Sequence, residues 1–165
     1  MNTPQTHAPD NVGSFAESKV IEALREIGYE VRTIDQADAD LIAQLDGKSC
    51  AISVQARHFR KGSIESKMLV IEEARLDRLC TYASQSRLIP MIACVVCLSD
   101  EERLHLFLAS VEHVRTHFKK VKFGYSLYFS EARIRQHIDD RDVLHKCWHD
   151  ANLERFAKRA NQIKD

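Results

Sequence analysis

The sequence lacks an excess of charge of either sign. Its 165 residues include 24 Lys and Arg and 24 Asp and Glu, so the formal net charge is zero. A protein that grips long nucleic acid by charge alone usually has a basic excess, so this balance argues against strong non-specific binding. Any binding of nucleic acid must then come from local basic clusters. The length suits one domain with enough chain to bury a core.

The chain also lacks an apolar run near its start. Residues 1–12 are polar and include Pro4 and Pro9, which predicts a flexible tail and neither a signal peptide nor a membrane span. No segment repeats and none is of low complexity. The five cysteines are odd in number, which without a signal sequence favours a reducing compartment and free thiols. These features predict a cytoplasmic protein with no membrane partner.

Metal-binding patterns are sparse. Cys94 and Cys97 have the CxxC spacing, but they lie in an apolar segment that is typical of a buried strand, where residues three apart face opposite sides. No second Cys or His pair follows at a plausible spacing, so we interpret both as buried thiols. Two histidine pairs have the four-residue spacing of metal ligands on a helix, but neither has an obvious third ligand. We interpret these pairs as surface or packed histidines: His113 with His117, and His145 with His149.

A hairpin over residues 39–57 is the centre of the predicted fold. Asp46-Gly47 is a dipeptide typical of a tight hairpin turn. Side chains alternate between the faces of a strand, so one face of the second strand is apolar and the other is polar. The apolar face carries Cys50, Ile52, Val54 and Ala56, and the polar face carries Ser53, Gln55 and Arg57. Asp40 begins the polar face of the first strand.

Helices and further strands surround this hairpin. A helix is predicted over residues 14–27, with Ser14 and Glu17 forming a capping box. Strands are predicted over residues 29–34, 91–98, 103–109 and 125–129, the last at a sheet edge, and helices over residues 71–86, 110–118 and 130–137. A long helix over residues 142–163 packs on the domain or on a second copy of the chain. This order predicts a mixed sheet flanked by helices.

The order of elements and the polar face of the hairpin resemble the PD-(D/E)XK nuclease superfamily, which includes restriction endonucleases and Holliday-junction resolvases. The resemblance implies an α/β, restriction-endonuclease-like domain over residues 13–129, with a three-layer core and a central mixed sheet, and a C-terminal helical extension over residues 130–165 packed on it. Asp40 matches the family's aspartate, Ser53 the position of its second acid and Gln55 the position of its lysine. Glu17 matches a helix glutamate that some members use as an extra metal ligand.

The chemistry of that family needs carboxylates that hold Mg²⁺, a metal that activates water, and a lysine that stabilises the transition state. The hydroxyl of Ser53 is a poor metal ligand, and removing one electrostatic donor typically costs about 100- to 1,000-fold in rate. The resemblance therefore implies a nuclease-fold protein of DNA metabolism or defence with weak or lost cleavage. Two alternatives stay open: an active Mg²⁺-dependent endonuclease that uses Glu17, Asp40 and Gln55, and a protein-interaction module that keeps only the fold. Whether the chain is an enzyme is thus left open by its sequence.

The densest basic segment covers residues 57–63 and contains Arg57, Arg60 and Lys61. It follows the strand that carries Ser53 and Gln55, and we interpret it as a loop that contacts the phosphates of nucleic acid, DNA in particular. The alternative is an ordinary solvated loop. Residues 119–122 form a second, smaller basic cluster, for which a solvated turn is also an interpretation.

Overall fold

A computed structural model describes residues 12–59, 67–98 and 102–149, apart from the side chains of residues 12–14. The helices are α1 (Val12–Glu26), α2 (Glu73–Gln85), α3 (Val111–His117) and α4 (Glu131–Asp139). The strands are β1 (Glu30–Gln36), β2 (Ala39–Leu45), β3 (Lys48–Phe59), β4 (Met68–Glu72), β5 (Ile89–Leu98), β6 (Arg103–Ser110), β7 (Lys119–Val121), β8 (Gly124–Tyr128) and β9 (Leu144–His149). No helix within these ranges is long and apolar enough to cross a membrane.

Six strands form a central mixed sheet in the order β1-β2-β3-β5-β6-β9. The pair β3 and β5 is parallel, and the other neighbours in this sheet are antiparallel. A parallel pair needs a crossover connection, which β4 and α2 supply here. The predicted hairpin turn is confirmed, since Asp46 and Gly47 both have positive φ angles, of 50° and 76°. The strands β4, β8 and β7 form a separate three-stranded sheet.

Each face of the central sheet is covered by its own apolar cluster. The α1 face holds Leu24 and Leu41, with Cys50, Ile52, Val54 and Ala56 of β3 packed in the same cluster as the alternation predicts. The opposite face packs against α2, α3 and the three-stranded sheet. Cys94 belongs to this second cluster and Cys97 to the first, so the CxxC residues lie on opposite faces of β5. The interpretation of both as buried thiols is confirmed by their burial.

Two predictions about the C-terminal half are wrong. Residues 144–149, predicted as part of a long helix, form the strand β9, which pairs with β6 at the edge of the central sheet. Strand β8 is the central strand of its sheet and not an edge. The helix predicted over residues 71–86 is present as α2 and begins at Glu73, because the preceding residues form β4. Residues 150–165 lie outside the described residues, and the division at residue 130 into domain and extension stays a prediction.

Two predictions near the candidate site are also wrong. Helix α1 begins at Val12, so Ser14 lies within its first turn and is not the cap that a capping box requires. Strand β3 continues to Phe59, so Arg57 is a strand residue and not part of a loop. The predicted tail lies outside the described residues except for Val12, which belongs to α1.

Candidate functional site

An arginine of α2 connects the residues that the hairpin pattern singles out. Arg75 Nε donates a 2.9 Å hydrogen bond to Ser53 Oγ, and its Nη2 donates to Val54 O over 3.4 Å. The same Nη2 lies 3.7 Å from Asp40 Oδ2. Ser53 is fully buried, whereas the side chain of Arg75 is 30% exposed. The guanidinium therefore forms a fixed positive charge between the matched aspartate and the serine at the second-acid position.

Asp40 has a structural task in addition to any role in a site. The β2–β3 ladder ends at Leu41 and Ile52, and beyond it the N–H of Val54 donates a 2.6 Å hydrogen bond to Asp40 Oδ2. This bond satisfies a backbone donor that would otherwise lose its partner where the strands separate. Burial raises the pKa of Asp40, against the lowering effects of the Val54 N–H and of Arg75. The carboxylate is thus partly desolvated, and one of its oxygens is already engaged.

Glu17 reaches the same region from α1. Burial raises its pKa, and the nearby negative charges of Asp40 and Asp35 raise it further. With Ser14 inside the helix, the capping explanation for Glu17 no longer holds. A half-buried carboxylate that is repelled by two others is unfavourable for folding unless a cation or a proton neutralises it.

A second ion pair lies beside this group of acids. Asp38 sits in the turn between β1 and β2 with a φ angle of 66° and pairs with Arg78 of α2. The side-chain hydrogen bond to Asp38 raises the pKa of Arg78. One face of α2 therefore supplies two arginines to the acids of β2 and its preceding turn, one of them through a partly buried contact and the other at the surface.

Of the other residues predicted for the site, the structure describes Gln55 and Arg57. Gln55 is half-buried on β3, two residues beyond Ser53 and on the same face by alternation. Arg57 follows on that face and is exposed, with its guanidinium carbon 5.9 Å from the centre of the Phe59 ring. Arg60 and Lys61 lie outside the described residues. Asp40 and Ser53 thus meet at Arg75, Glu17 lies near Asp40, and the roles predicted for all of these residues stay predictions.

The side chains at this site do not fit a resident Mg²⁺ ion. Magnesium is held mainly by carboxylate oxygens and water. Ser53 Oγ instead accepts a hydrogen bond from Arg75, and Asp40 Oδ2 accepts one from Val54 while lying beside the same guanidinium. The guanidinium of Arg75 is positively charged, as a metal ion is, so the two compete for the carboxylate of Asp40.

A group of three potential metal ligands lies elsewhere in the described residues. His113, Asp140 and Asp142 have ligand atoms within 4.8 Å of one another, and His113 Nε2 lies 2.9 Å from Asp140 Oδ2. The prediction that His113 and His117 have no third ligand nearby is therefore wrong for His113, which lies close to two carboxylates. Its ring is buried and stacks on that of His117 at 4.2 Å, so the interpretation of a packed histidine is confirmed there. This group shares no residue with the site around Asp40.

The architecture around the site defines the class of fold. A central mixed sheet with α1 on one face and α2 on the other is the restriction-endonuclease-like arrangement predicted from the sequence, and comparison with solved structures confirms this fold.

The chain is similar to Hjc, a Holliday junction resolvase from the archaeal hyperthermophile Archaeoglobus fulgidus, with a TM-score of 0.54 and 14% identity over 75% of this chain and 88% of that chain. A bacterial homing endonuclease, I-Ssp6803I, gives a TM-score of 0.44 with 14% identity and coverage of 99% of each chain. No protein-family model and no curated protein matches the sequence. At such low identity the likeness shows the fold, and the activity has to be argued from the residues of the site.

Proposed function

We propose that the chain is a nuclease-fold protein of DNA metabolism or defence that binds nucleic acid and cleaves phosphodiesters weakly or not at all. The observation that supports the loss of cleavage is the contact of Arg75 with Ser53 and its proximity to Asp40. A divalent ion within about 4 Å of a guanidinium is repelled by about 8 kcal/mol at an effective dielectric constant of about 20. The arginine thus neutralises Asp40 and opposes a metal at the same place.

The proposed nucleic-acid contacts are Arg57, Arg60 and Lys61. Arg57 is exposed and follows Gln55 on the same face of β3, so a phosphate at the site would lie within reach of Arg57. Each such contact releases counterions, and three contacts give a slope of about −3 in log affinity against log salt. The other expectations from the sequence, a homodimer and a cytoplasmic location, stay predictions.

A second candidate function is an active Mg²⁺-dependent endonuclease that uses Glu17, Asp40 and Gln55. The observation that favours it is the mutual effect of two carboxylates, since the charge of Asp40 raises the pKa of Glu17. Such pairs occur at sites that take up a cation or a proton. This candidate requires Arg75 to leave Asp40 when the metal enters.

Two assays separate these candidates. Fluorescently labelled duplex and branched DNA is titrated with the purified protein at several salt concentrations, and the same substrates are incubated with Mg²⁺ or Mn²⁺. We expect binding that weakens with salt and negligible cleavage. The variant R57A/R60A/K61A should bind more weakly, whereas the matched variant R32A/K48A/R103A, which removes three exposed cations elsewhere on the central sheet, should bind like the wild type.

Three other results would each change the conclusion. Robust cleavage that is abolished by Asp40→Ala would establish the active endonuclease instead. Binding that both triple variants weaken equally would mean that the predicted segment has no special role. No binding even at low salt would favour the interaction module that keeps only the fold.

A further inference from the structure

The three-stranded sheet has an outer face that the proposed site does not use. Tyr125 and Leu127 of β8 are buried in the cluster beneath it, so the alternate residues Ser126 and Tyr128 lie on the opposite face. Lys119 of β7 pairs with Ser126 in the register of the two strands and therefore shares that face. This outer face is where a basic pocket opens.

Cations dominate the lining of this pocket, whose volume is about 640 Å³. The lining residues are Lys67, Lys119, Tyr128, Ser130 and Arg133. None of them is acidic. The acid next to Ser130 along the chain, Glu131, accepts a 2.6 Å hydrogen bond from Arg135. In a chain whose formal net charge is zero, three cations among the five described lining residues concentrate positive potential there.

A hydrogen bond fixes the backbone of each of the three basic residues. Phe129 N donates to Lys67 O over 2.8 Å, which ties the residue before β4 to the end of β8. Ser126 Oγ donates to Lys119 O over 3.3 Å. Ser130 caps α4 by accepting a 3.4 Å hydrogen bond from Arg133 N. The three cations thus extend from fixed points on different elements, which lowers the entropy lost when a ligand binds.

We propose that this pocket binds the phosphodiester backbone of a nucleic acid, as a contact surface additional to residues 57–61. The inference rests on the proposed function. Cations that come from three separate elements suit successive phosphates along a strand better than one small anion. Lys67 also lies within a few residues of Arg60 and Lys61 in the sequence.

The turn between β7 and β8, outside the pocket, carries an exposed aromatic residue. Phe123 is 70% exposed, and Lys122 Nζ lies 5.1 Å from the centre of its ring. In proteins that bind single strands, unpaired bases stack on exposed aromatic rings while nearby cations contact the phosphates. We therefore expect single-stranded or branched DNA that extends from the pocket along β7 to contact this turn more readily than a plain duplex does.

The test compares two triple variants with the wild type on labelled single-stranded, branched and duplex DNA, and on single-stranded RNA. In K67A/K119A/R133A we expect the affinity to fall roughly 10- to 100-fold and the salt slope to become shallower by about 3. The matched variant R32A/K48A/R103A should bind like the wild type, and thermal unfolding checks that both variants fold. If the first variant does not fold, K119E and R133E, which change exposed residues singly, take its place.

The outcomes distinguish this inference from the proposed function. Binding by the wild type that K67A/K119A/R133A leaves unchanged would overturn the pocket alone, and so would an equal loss in the matched variant. No binding by the wild type at low salt would overturn both. Ultraviolet crosslinking gives an independent readout, because a strand in the pocket should crosslink to Tyr128, whereas crosslinks at Phe123 without any at Tyr128 would overturn the pocket.

Discussion

Arg75 of α2 and Ser53 of β3 are joined by a 2.9 Å hydrogen bond from Nε to Oγ. The serine is therefore the hydrogen-bond partner of a cation. It does more than replace the acid that the family has at this position. A carboxylate at residue 53 would meet the same guanidinium and form an ion pair with it. The choice between a metal site and a closed polar network consequently depends on Arg75 as much as on the residue in the motif.

Removing Arg75 should destabilise the protein. Arg75→Ala takes a charged donor from the fully buried hydroxyl of Ser53 and a counter-charge from Asp40. Hydrogen bonds to charged groups contribute about 1.5–3 kcal/mol, and since the arginine is 30% exposed we expect a loss of about 1–2 kcal/mol. Urea unfolding measures this loss. The matched change Arg78→Ala breaks the more exposed pair with Asp38 and should cost clearly less than Arg75→Ala; equal losses would contradict the prediction.

Neutralising Glu17 should stabilise the protein near neutral pH. Its pKa is raised in the folded state above the ordinary value of 4.5. Between these two pKa values the folded protein keeps a proton on Glu17 that the unfolded chain has lost. The contribution of Glu17 to the free energy of unfolding is therefore fully present below the ordinary pKa and is lost as the pH rises through the raised pKa of the folded state. Glu17→Gln removes the charge that causes the loss. We expect its thermal midpoint to exceed that of the wild type at pH 7 and to match it below the ordinary value.

A neighbouring glutamate on the same helix controls this measurement. Glu22 is exposed and pairs with Lys19 at 3.2 Å, so Glu22→Gln should give no gain at pH 7. A gain of equal size in both variants would mean that the effect comes from the charge of the helix and not from the repulsion of Glu17 by Asp40 and Asp35. Addition of Mg²⁺ that stabilises the wild type but not Glu17→Gln would favour the active endonuclease.

The CxxC cysteines should be inert in the folded protein. Cys94 is 2% exposed, and burial raises the pKa of its thiol to about 12. Cys97 is fully buried on the other face of β5. Since the thiolate is the reactive form, iodoacetamide should label both only after unfolding, whereas Cys80 and Cys147, which are half-buried, should react sooner. Mass spectrometry of native and urea-treated samples measures this order. A disulfide or bound zinc at the CxxC pair would contradict it.

The parts of the fold that follow from the alternation of apolar and polar residues could be predicted from the sequence. The alternation of Ile52 and Val54 against Ser53 and Gln55 places the α1 face of β3 correctly, because one buried face fixes the strand's orientation. The apolar side chains of residues 144–149 fit a helical stripe and on that ground predict a helix. The contacts of β9 with β6 instead decide that they form a strand, and such long-range pairing is not readable from a short window.

The candidate site was predictable only in part for a similar reason. The hairpin pattern identifies Asp40 and Ser53, which the structure brings together. Arg75 gave no signal, since an arginine on a helix that packs on a sheet is ordinarily a solvated residue. Its position becomes meaningful only when α2 crosses above β3. The same holds for Lys67 and Arg133, which are far apart in the sequence and meet at one pocket.

The most direct test of the account is the binding of Mn²⁺ to the wild type and to Asp40→Ala, measured by electron paramagnetic resonance. Mn²⁺ accepts the same oxygen ligands as Mg²⁺. Asp142→Asn reports separately on any ion held by His113, Asp140 and Asp142. Because Arg75 occupies the neighbourhood of Asp40, we predict that the wild type and Asp40→Ala bind the same amount of Mn²⁺. One ion bound by the wild type and by Asp142→Asn, but lost in Asp40→Ala, would contradict the account.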